Sequence, residues 1–215
     1  MGKKTDNHNL PAKIALRRHF LLRYHAFGPM HVLDCCQGGG VIWRLLRREF
    51  DVATYWGVDV KSKKGRLKID STRILSQAGW PQNVIDIDTY GSPWKHWEAM
   101  LPNVDHPTTV FLTIGQLTTG TVGKLGNVVL DYLRLGKIGK RLSPAFHVKL
   151  APHVLRYCLA RAYDYGIIIT EAVEAVSDGN CRYVGVHLAP TKSEQPGLQP
   201  GCPEHPIPEE EESNV

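Results

Sequence analysis

Two acidic residues close an apolar segment near the middle of the chain, where a carboxylate could assist a group transfer. The segment reads NVIDID at 83–88 and runs into TYGSP at 89–93. A carboxylate at a rigid strand end can accept a hydrogen bond from an amine and stabilise the positive charge that develops as the amine attacks an electrophile. We therefore expect Asp88 to be catalytic in preference to Asp86, which we interpret as the end of a buried strand. Tyr90 could stack on a planar base.

A second candidate site lies in a glycine-rich turn. Residues 31–40 read HVLDCCQGGG, and a helical pattern follows at 41–50. Because glycine has no Cβ, the backbone of such a turn can approach a bound ligand closely. A tight strand-to-helix turn without a ligand is the alternative. Counted from Gly38, the dinucleotide fingerprint would need a small residue where Trp43 stands, which disfavours nicotinamide dinucleotides.

Two more acidic residues are expected at the same edge of a sheet. Asp59 ends the second predicted strand, where a carboxylate can accept hydrogen bonds from ribose hydroxyls. Asp70 ends the third and is followed by Ser71. Either carboxylate could instead cap a helix or face solvent. Because an α/β sheet binds ligands at the carboxyl ends of its strands, we expect Asp34, Asp59 and Asp70 to gather there.

The elements that must position these residues alternate along the chain. Short apolar runs predict strands at 30–34, 54–59, 66–70, 83–88 and 108–114. Helical spacing is found at 11–27, 41–50, 72–79, 93–101, 126–135 and 151–165. The last two predicted strands, 166–173 and 181–189, are separated only by turn residues at 177–180, so they must pair as an antiparallel hairpin.

The motifs together resemble those of class I S-adenosylmethionine-dependent methyltransferases. The string IDIDTYGSP at 85–93 is similar to the signature of tRNA guanine-N2 dimethyltransferases, with Thr89 where that family has proline. The resemblance implies a Rossmann-like α/β fold: a seven-stranded sheet with helices on both faces and a C-terminal antiparallel hairpin. It also implies S-adenosyl-L-methionine as cofactor and methylation of an exocyclic amine of a nucleic-acid base, with RNA favoured. The cofactor-binding residues it implies are Asp34, Cys36, Gly38, Gly40, Asp59, Asp70 and Ser71.

A long glycine-rich insertion at 115–150 follows the fifth strand and carries several cations. Insertions at the ligand edge of an α/β fold are frequently functional, although a solvated loop is the alternative. We expect five residues of this insertion to contact phosphates: Lys124, Arg134, Lys137, Lys140 and Arg141.

Composition sets the remaining expectations. The segment 191–215 holds one lysine and six glutamates and has a net charge of −5, whereas the whole chain has +5. Residues 1–190 therefore carry +10, which suits a polyanionic partner. We predict a basic N-terminal helix region at 1–28, a methyltransferase domain at 29–190 and a disordered acidic tail at 191–215. Five cysteines without metal-ligand spacing, no apolar span and no signal sequence predict a cytoplasmic protein without a metal or membrane contact. Methylation of a small molecule or protein, and an inactive nucleic-acid-binding module, remain alternatives.

Overall fold

The computed structural model describes residues 9–61, 67–89, 91–115, 118–119, 124–125, 127–141, 143–175 and 181–191. Its helices are α1 Leu10–Tyr24, α2 Val41–Leu46, α3 Ser71–Leu75, α4 Trp94–Met100, α5 Asn127–Tyr132, α6 Gly136–Arg141 and α7 Pro144–Ala160. Its strands are β1 Met30–Asp34, β2 Val52–Asp59, β3 Leu67–Lys68, β4 Val84–Ile87, β5 Thr108–Ile114, β6 Thr118–Thr119, β7 Lys124–Leu125, β8 Ile167–Ala175 and β9 Arg182–Pro190. Short 3-10 turns follow α4 and α7 at Leu101–Asn103 and Arg161–Tyr165.

The described residues form one seven-stranded sheet and a separate small hairpin of β6 with β7. The strand order of the large sheet is β3-β2-β1-β4-β5-β9-β8. Pairing is parallel from β3 to β5, whereas β9 is antiparallel to both β5 and β8. The predicted Rossmann-like fold with a terminal hairpin is therefore confirmed. The turn predicted at 177–180 lies outside the described residues.

Helices cover both faces of the sheet, and side-chain alternation along each strand divides the core in two. On one face, α1 and α2 pack over Val32, Val84 and Phe111. On the other, α3, α4 and α7 pack over the intervening residues, such as Leu33 and Ile85. Even-numbered residues of β1 and β4 therefore point toward α1, and this parity carries the acidic residues of both strands to that face.

Helix α1 is fixed to the sheet by a close approach to β9. Phe20 and Leu21 are fully buried, and the Phe20 ring lies directly against Gly185, where an added Cβ would overlap it. Phe20 also meets the Phe111 ring edge-on, with ring centroids 5.8 Å apart. The first helix is thus packed into the main core.

Several elements differ from the sequence prediction in extent. Helix α3 ends at Leu75, before the left-handed Gly79 and before Pro81. Helix α7 begins at Pro144, earlier than predicted, because the Ser143 hydroxyl caps it by accepting the Phe146 N–H. Strand β3 is reduced to two exposed residues. None of the helices in the described ranges is long and apolar enough to cross a bilayer.

Candidate cofactor site and active site

The glycine turn connects β1 to α2 at the carboxyl edge of the sheet. Gly38 and Gly40 have φ of +49° and +62°, in the left-handed region that favours glycine. The Gly40 N–H donates to the Gln37 carbonyl over 2.6 Å, and the Gln37 N–H donates to the Val58 carbonyl over 3.0 Å. At Gly38, an added Cβ would meet only the Cys36 carbonyl, at 3.6 Å. The turn is therefore tied to β2 on its inner side and open on its outer side.

Asp59 lies beside this turn. Its Oδ2 accepts the Gly38 N–H at 3.3 Å, and its Oδ1 accepts the Lys61 N–H at 2.9 Å. The side chain is half-buried. These contacts orient a carboxylate at the mouth of the glycine turn.

Asp70 and Ser71 serve the start of α3. Oδ1 of Asp70 accepts both the N–H and the hydroxyl of Thr72, at 3.0 and 2.7 Å. These hydrogen bonds from Thr72 lower the Asp70 pKa. The Ser71 hydroxyl is buried and donates to the Cys35 carbonyl at 2.9 Å, with His96 Nε2 at 3.0 Å. The helix-cap alternative therefore describes what Asp70 does within the protein, while Ser71 ties α3 to the residue that precedes Cys36.

Asp34 turns away from the open edge. It is 4% exposed, and its Oδ2 accepts a hydrogen bond from the Tyr55 hydroxyl at 2.8 Å. Burial, and next the negative charge of Asp86, raise the Asp34 pKa well above its ordinary value. Asp34 is thus buried, whereas Cys36, Gly38, Gly40 and Asp59 are only partly buried.

Asp86 is held in the interior by a cation from α1. Its two oxygens accept the Arg17 Nε and Nη2 at 2.8 and 2.6 Å, and Oδ2 also accepts the Trp43 indole N–H at 2.7 Å. The Asp86 and Arg17 side chains are each 1% exposed. Asp86 is thus fully engaged with its neighbours inside a buried strand, and the strand ends one residue later than interpreted, at Ile87.

Asp88 lies just beyond β4 and is held by a second cation from the same helix. Lys13 Nζ is 2.7 Å from Oδ1 and 2.9 Å from Oδ2. Burial opposes ionisation of Asp88, but the positive charges of Lys13 and Arg17 outweigh it, and the Asp88 pKa is lowered. The Asp88 side chain keeps 20% exposure, whereas Lys13 keeps 4%. Asp88 is therefore an ionised carboxylate that a ligand can still reach.

The turn after Asp88 is anchored to the end of β5. The Thr89 hydroxyl donates to the Thr113 carbonyl at 3.3 Å, a contact that proline could not make. The Gly115 N–H donates to the Gly91 carbonyl at 2.6 Å, and an added Cβ on Gly115 would lie within 3.0 Å of the Gly91 backbone. Tyr90, the other predicted catalytic residue, lies outside the described residues.

The five predicted phosphate contacts all fall on the insertion between β5 and α7. Arg134 and Lys137 are exposed. Lys124 belongs to β7, and Lys140 and Arg141 belong to α6; the orientation of these three side chains is outside the described part. The insertion contributes to the core through Val129 and Leu130, 1% and 2% exposed, so it is not merely a solvated loop.

Sequence reasoning missed two residues that the structure brings to the site, Lys13 and Arg17. Both were treated as members of a basic helix, yet they are four residues apart on the buried side of α1. The apolar residues Phe20 and Leu21 follow Arg17 by three and four residues, so they lie on the same side of the helix as the two cations. This spacing was the available sign in the sequence that both cations face the core.

Comparison with known proteins gives a likeness of structure only. No protein-family model matches the sequence, and no curated protein matches it. The structure is similar to that of Trm1 from Pyrococcus horikoshii in complex with S-adenosyl-L-methionine, with a TM-score of 0.59 and 16% identity. The match covers 84% of this chain and 54% of the other, so this chain spans about half of the Trm1 length.

Two further structures have a similar fold. The plantazolicin methyltransferase BamL, in complex with a triazolic desmethylPZN analog and SAH, matches with a TM-score of 0.52 and 9% identity, over 88% of this chain and 87% of the other. A protein from Streptococcus thermophilus named as a hemolysin matches with a TM-score of 0.51 and 18% identity, over 90% and 70%. The chain therefore has the Rossmann-like fold found in S-adenosylmethionine-dependent methyltransferases, and its activity must be argued from its own site.

Proposed function

We propose that the protein is an S-adenosyl-L-methionine-dependent methyltransferase that modifies an exocyclic amine of a nucleic-acid base, with RNA favoured over DNA. One observation carries this proposal. Three features lie at the carboxyl edge of a methyltransferase-type sheet, at the ends of the neighbouring strands β2, β1 and β4. They are the Asp59 carboxylate, the open glycine turn and the ionised Asp88 carboxylate.

The residues at this edge fit the cofactor. The left-handed glycines Gly38 and Gly40 leave backbone open to a ligand, and Asp59 is oriented beside Gly38, where it would hold ribose hydroxyls. Asp70 uses Oδ1 to cap α3, which leaves Oδ2 as the oxygen that would accept the adenine amine. Cys36 and Ser71 are the other two residues proposed for this site. When bound, the cofactor supplies an electrophilic methyl group on a sulfonium centre.

The charges around Asp88 favour an amine that is already neutral. Asp88 is paired with Lys13, and Asp86 is paired with Arg17, so the two carboxylates present no net negative charge to a protonated amine. A carboxylate with a lowered pKa is also a weak base for removing a proton from an alkylammonium. An exocyclic amine of a base is neutral at pH 7 and needs only an acceptor for its hydrogen bond. Asp88 provides that acceptor, and Tyr90 follows as the proposed stacking platform.

A polyanionic substrate is supported by charge. Residues 1–190 carry a formal charge of +10, and the exposed Arg134 and Lys137 lie on the insertion that follows β5. The resemblance of 85–93 to tRNA guanine-N2 dimethyltransferases favours RNA. The proposed phosphate contacts are Lys124, Arg134, Lys137, Lys140 and Arg141.

Two measurements, made one after the other, test the proposal. Calorimetry with S-adenosylhomocysteine measures whether the cofactor site exists, and we expect saturable binding of one equivalent. Transfer of a tritiated methyl group to total RNA, to DNA and to protein then identifies the substrate class, and we expect label in RNA. Nuclease digestion of the labelled RNA should release a methylated base whose exocyclic amine carries the label.

Each outcome separates the alternatives. Absence of cofactor binding would overturn the enzyme assignment and favour a nucleic-acid-binding module. Cofactor binding with label only in protein or in small molecules would overturn the nucleic-acid part of the proposal while leaving the methyltransferase part intact.

A further inference from the structure

We propose that Lys13, on the N-terminal helix, is a positioning residue of the active site that holds the Asp88 carboxylate in one orientation and places a positive charge beside it. The inference rests on the proposed function, because it assigns Lys13 a role through Asp88. It is carried by the contact of Lys13 Nζ with both Asp88 oxygens, at 2.7 and 2.9 Å.

Lys13 is buried, and it makes further contacts besides the one with Asp88. Its side chain is 4% exposed, although lysine is rarely buried unless it is paired. Its Nζ also lies over the Tyr183 ring on β9, 5.0 Å from the centroid. Its carbonyl accepts a hydrogen bond from Arg17 Nη1 at 3.0 Å. The contacts with Asp88 and Tyr183 connect the helix that carries Lys13 to the end of β4 and to β9.

The contact matters because Asp88 is otherwise in an environment that opposes its charge. Burial acts to raise the Asp88 pKa, as it does for Asp34 on the neighbouring strand. The positive charge of Lys13 is the largest opposing influence, and that of Arg17 is next. Charged and polar groups that face Asp88 come from α1 (Lys13 and Arg17), β4 (Asp86), β1 and its turn (Asp34 and Cys36), β5 (Thr113) and β9 (Tyr183 beside Lys13).

Both the charge of Asp88 and the number of hydrogen bonds that it can accept affect the proposed reaction. A protonated Asp88 would donate a hydrogen bond from one oxygen and could not stabilise the charge that develops on a substrate amine. A carboxylate can accept about four hydrogen bonds, so the two contacts to Lys13 leave capacity for the amine. Lys13 thus acts on the reaction without touching the substrate.

The decisive experiment is a carboxyl-carbon NMR titration of the full chain labelled with ¹³C-aspartate, with the Asp88 resonance assigned by its loss in Asp88→Asn. Removing the charge in Lys13→Met should raise the Asp88 titration midpoint by about 1–3 pH units. Lys13→Arg should return it toward the wild-type value. Arg18→Met is the matched control, because it removes an exposed cation from the same helix, paired only with Glu49 on the surface. The Asp88 titration midpoint of Arg18→Met should equal that of the wild type.

Methyl transfer measured over pH 5–9 provides the second readout. In Lys13→Met the rate should fall at the acid end of this range, where the wild-type rate should stay level because its Asp88 pKa is lowered, whereas a merely structural role would lower the rate equally at every pH. Should Lys13→Met be unfolded by circular dichroism, Lys13→Gln replaces it as a neutral variant that keeps a hydrogen-bond donor.

An unchanged Asp88 midpoint in a folded neutral variant would overturn the inference. A raised midpoint in a protein whose wild type transfers no methyl group would instead refute the proposed function, and the control of Asp88 by Lys13 would stand.

Discussion

Arg17 and Asp86 form a bidentate ion pair in the interior, with Nε 2.8 Å from Oδ2 and Nη2 2.6 Å from Oδ1. Each side chain is 1% exposed, and the Arg17 guanidinium also lies over the Phe111 ring at 5.0 Å. This pair joins α1 to β4 at the level just below Asp88. The geometry of the site therefore depends on the helix that precedes the first strand.

Arg17→Met should strongly destabilise the protein, because it leaves the Asp86 charge buried without its partner. Breaking a buried pair in this way costs about 3–5 kcal/mol. Urea unfolding measures the loss. The double variant Arg17→Met with Asp86→Asn removes both charges and keeps an acceptor for the Trp43 indole N–H, so it should recover part of the stability. Equal stability of the single and double variants would show that the unpaired charge is not the cause.

Asp59→Ala should weaken binding of S-adenosylhomocysteine by about 1.5–3 kcal/mol, through loss of charged hydrogen bonds to the ribose. The variant also removes the acceptor of the Gly38 N–H, which frees the glycine turn. Calorimetry measures the affinity. Asp51→Ala is the control, since it removes an exposed acidic residue just before β2, at the opposite edge of the sheet. Unchanged affinity in the Asp59 variant would exclude Asp59 from the site.

Asp88→Asn should lower single-turnover methyl transfer by roughly 10²–10⁴-fold, while cofactor affinity changes little, because the lost stabilisation belongs to the transition state. Asparagine keeps the shape of the side chain and one acceptor oxygen but not the charge. Quenched-flow labelling of RNA gives the rate, and calorimetry gives the affinity. A folded variant with wild-type activity would rule out Asp88 as the catalytic carboxylate.

Gly185→Ala should destabilise the protein by about 1–3 kcal/mol, as expected for overpacking of a core. The added methyl group would overlap the buried Phe20 ring and push α1 away from β9. Thermal unfolding measures the effect. Gly28→Ala is the control, because nothing lies within 4 Å of its added Cβ and its φ is not positive. A neutral result for Gly185→Ala would mean that α1 does not pack on β9 this closely.

Stability should fall as the pH is lowered from about 6.5 to 4, because of His25. This residue is buried, with Nε2 2.8 Å from the Thr109 hydroxyl oxygen, and burial followed by the nearby His187 lowers its pKa to about 4. The unfolded chain takes up a proton on His25 first, so the stabilisation present above pH 6.5 is lost on acidification, by up to about 1.4 kcal/mol per pH unit.

Urea unfolding at several pH values tests this window. The slope of stability against pH should be smaller in His25→Gln than in the wild type. Identical slopes in the two proteins would show that His25 does not titrate differently on folding.

The order of strands and helices could be predicted from the sequence because it depends on local periodicity. The runs at 30–34 and 108–114 become β1 and β5 with the same bounds, and the absence of room for a helix before residue 181 required the terminal hairpin. The ends of β1, β2 and β4 follow from this order, so the placement of Asp34, Asp59 and Asp88 near one edge was also predictable.

What each carboxylate does there was decided only by the tertiary structure. Period-two alternation sends Asp34, Asp86 and Asp88 to the same face, but it cannot say which cation, if any, covers them. The docking of α1 assigns Arg17 to Asp86 and Lys13 to Asp88, contacts that span 69 and 75 residues of sequence. Charge pairing at such separations depends on the packing of a helix that is distant in sequence. Both carboxylates are therefore paired with α1, but Asp86 is fully buried while Asp88 stays partly exposed.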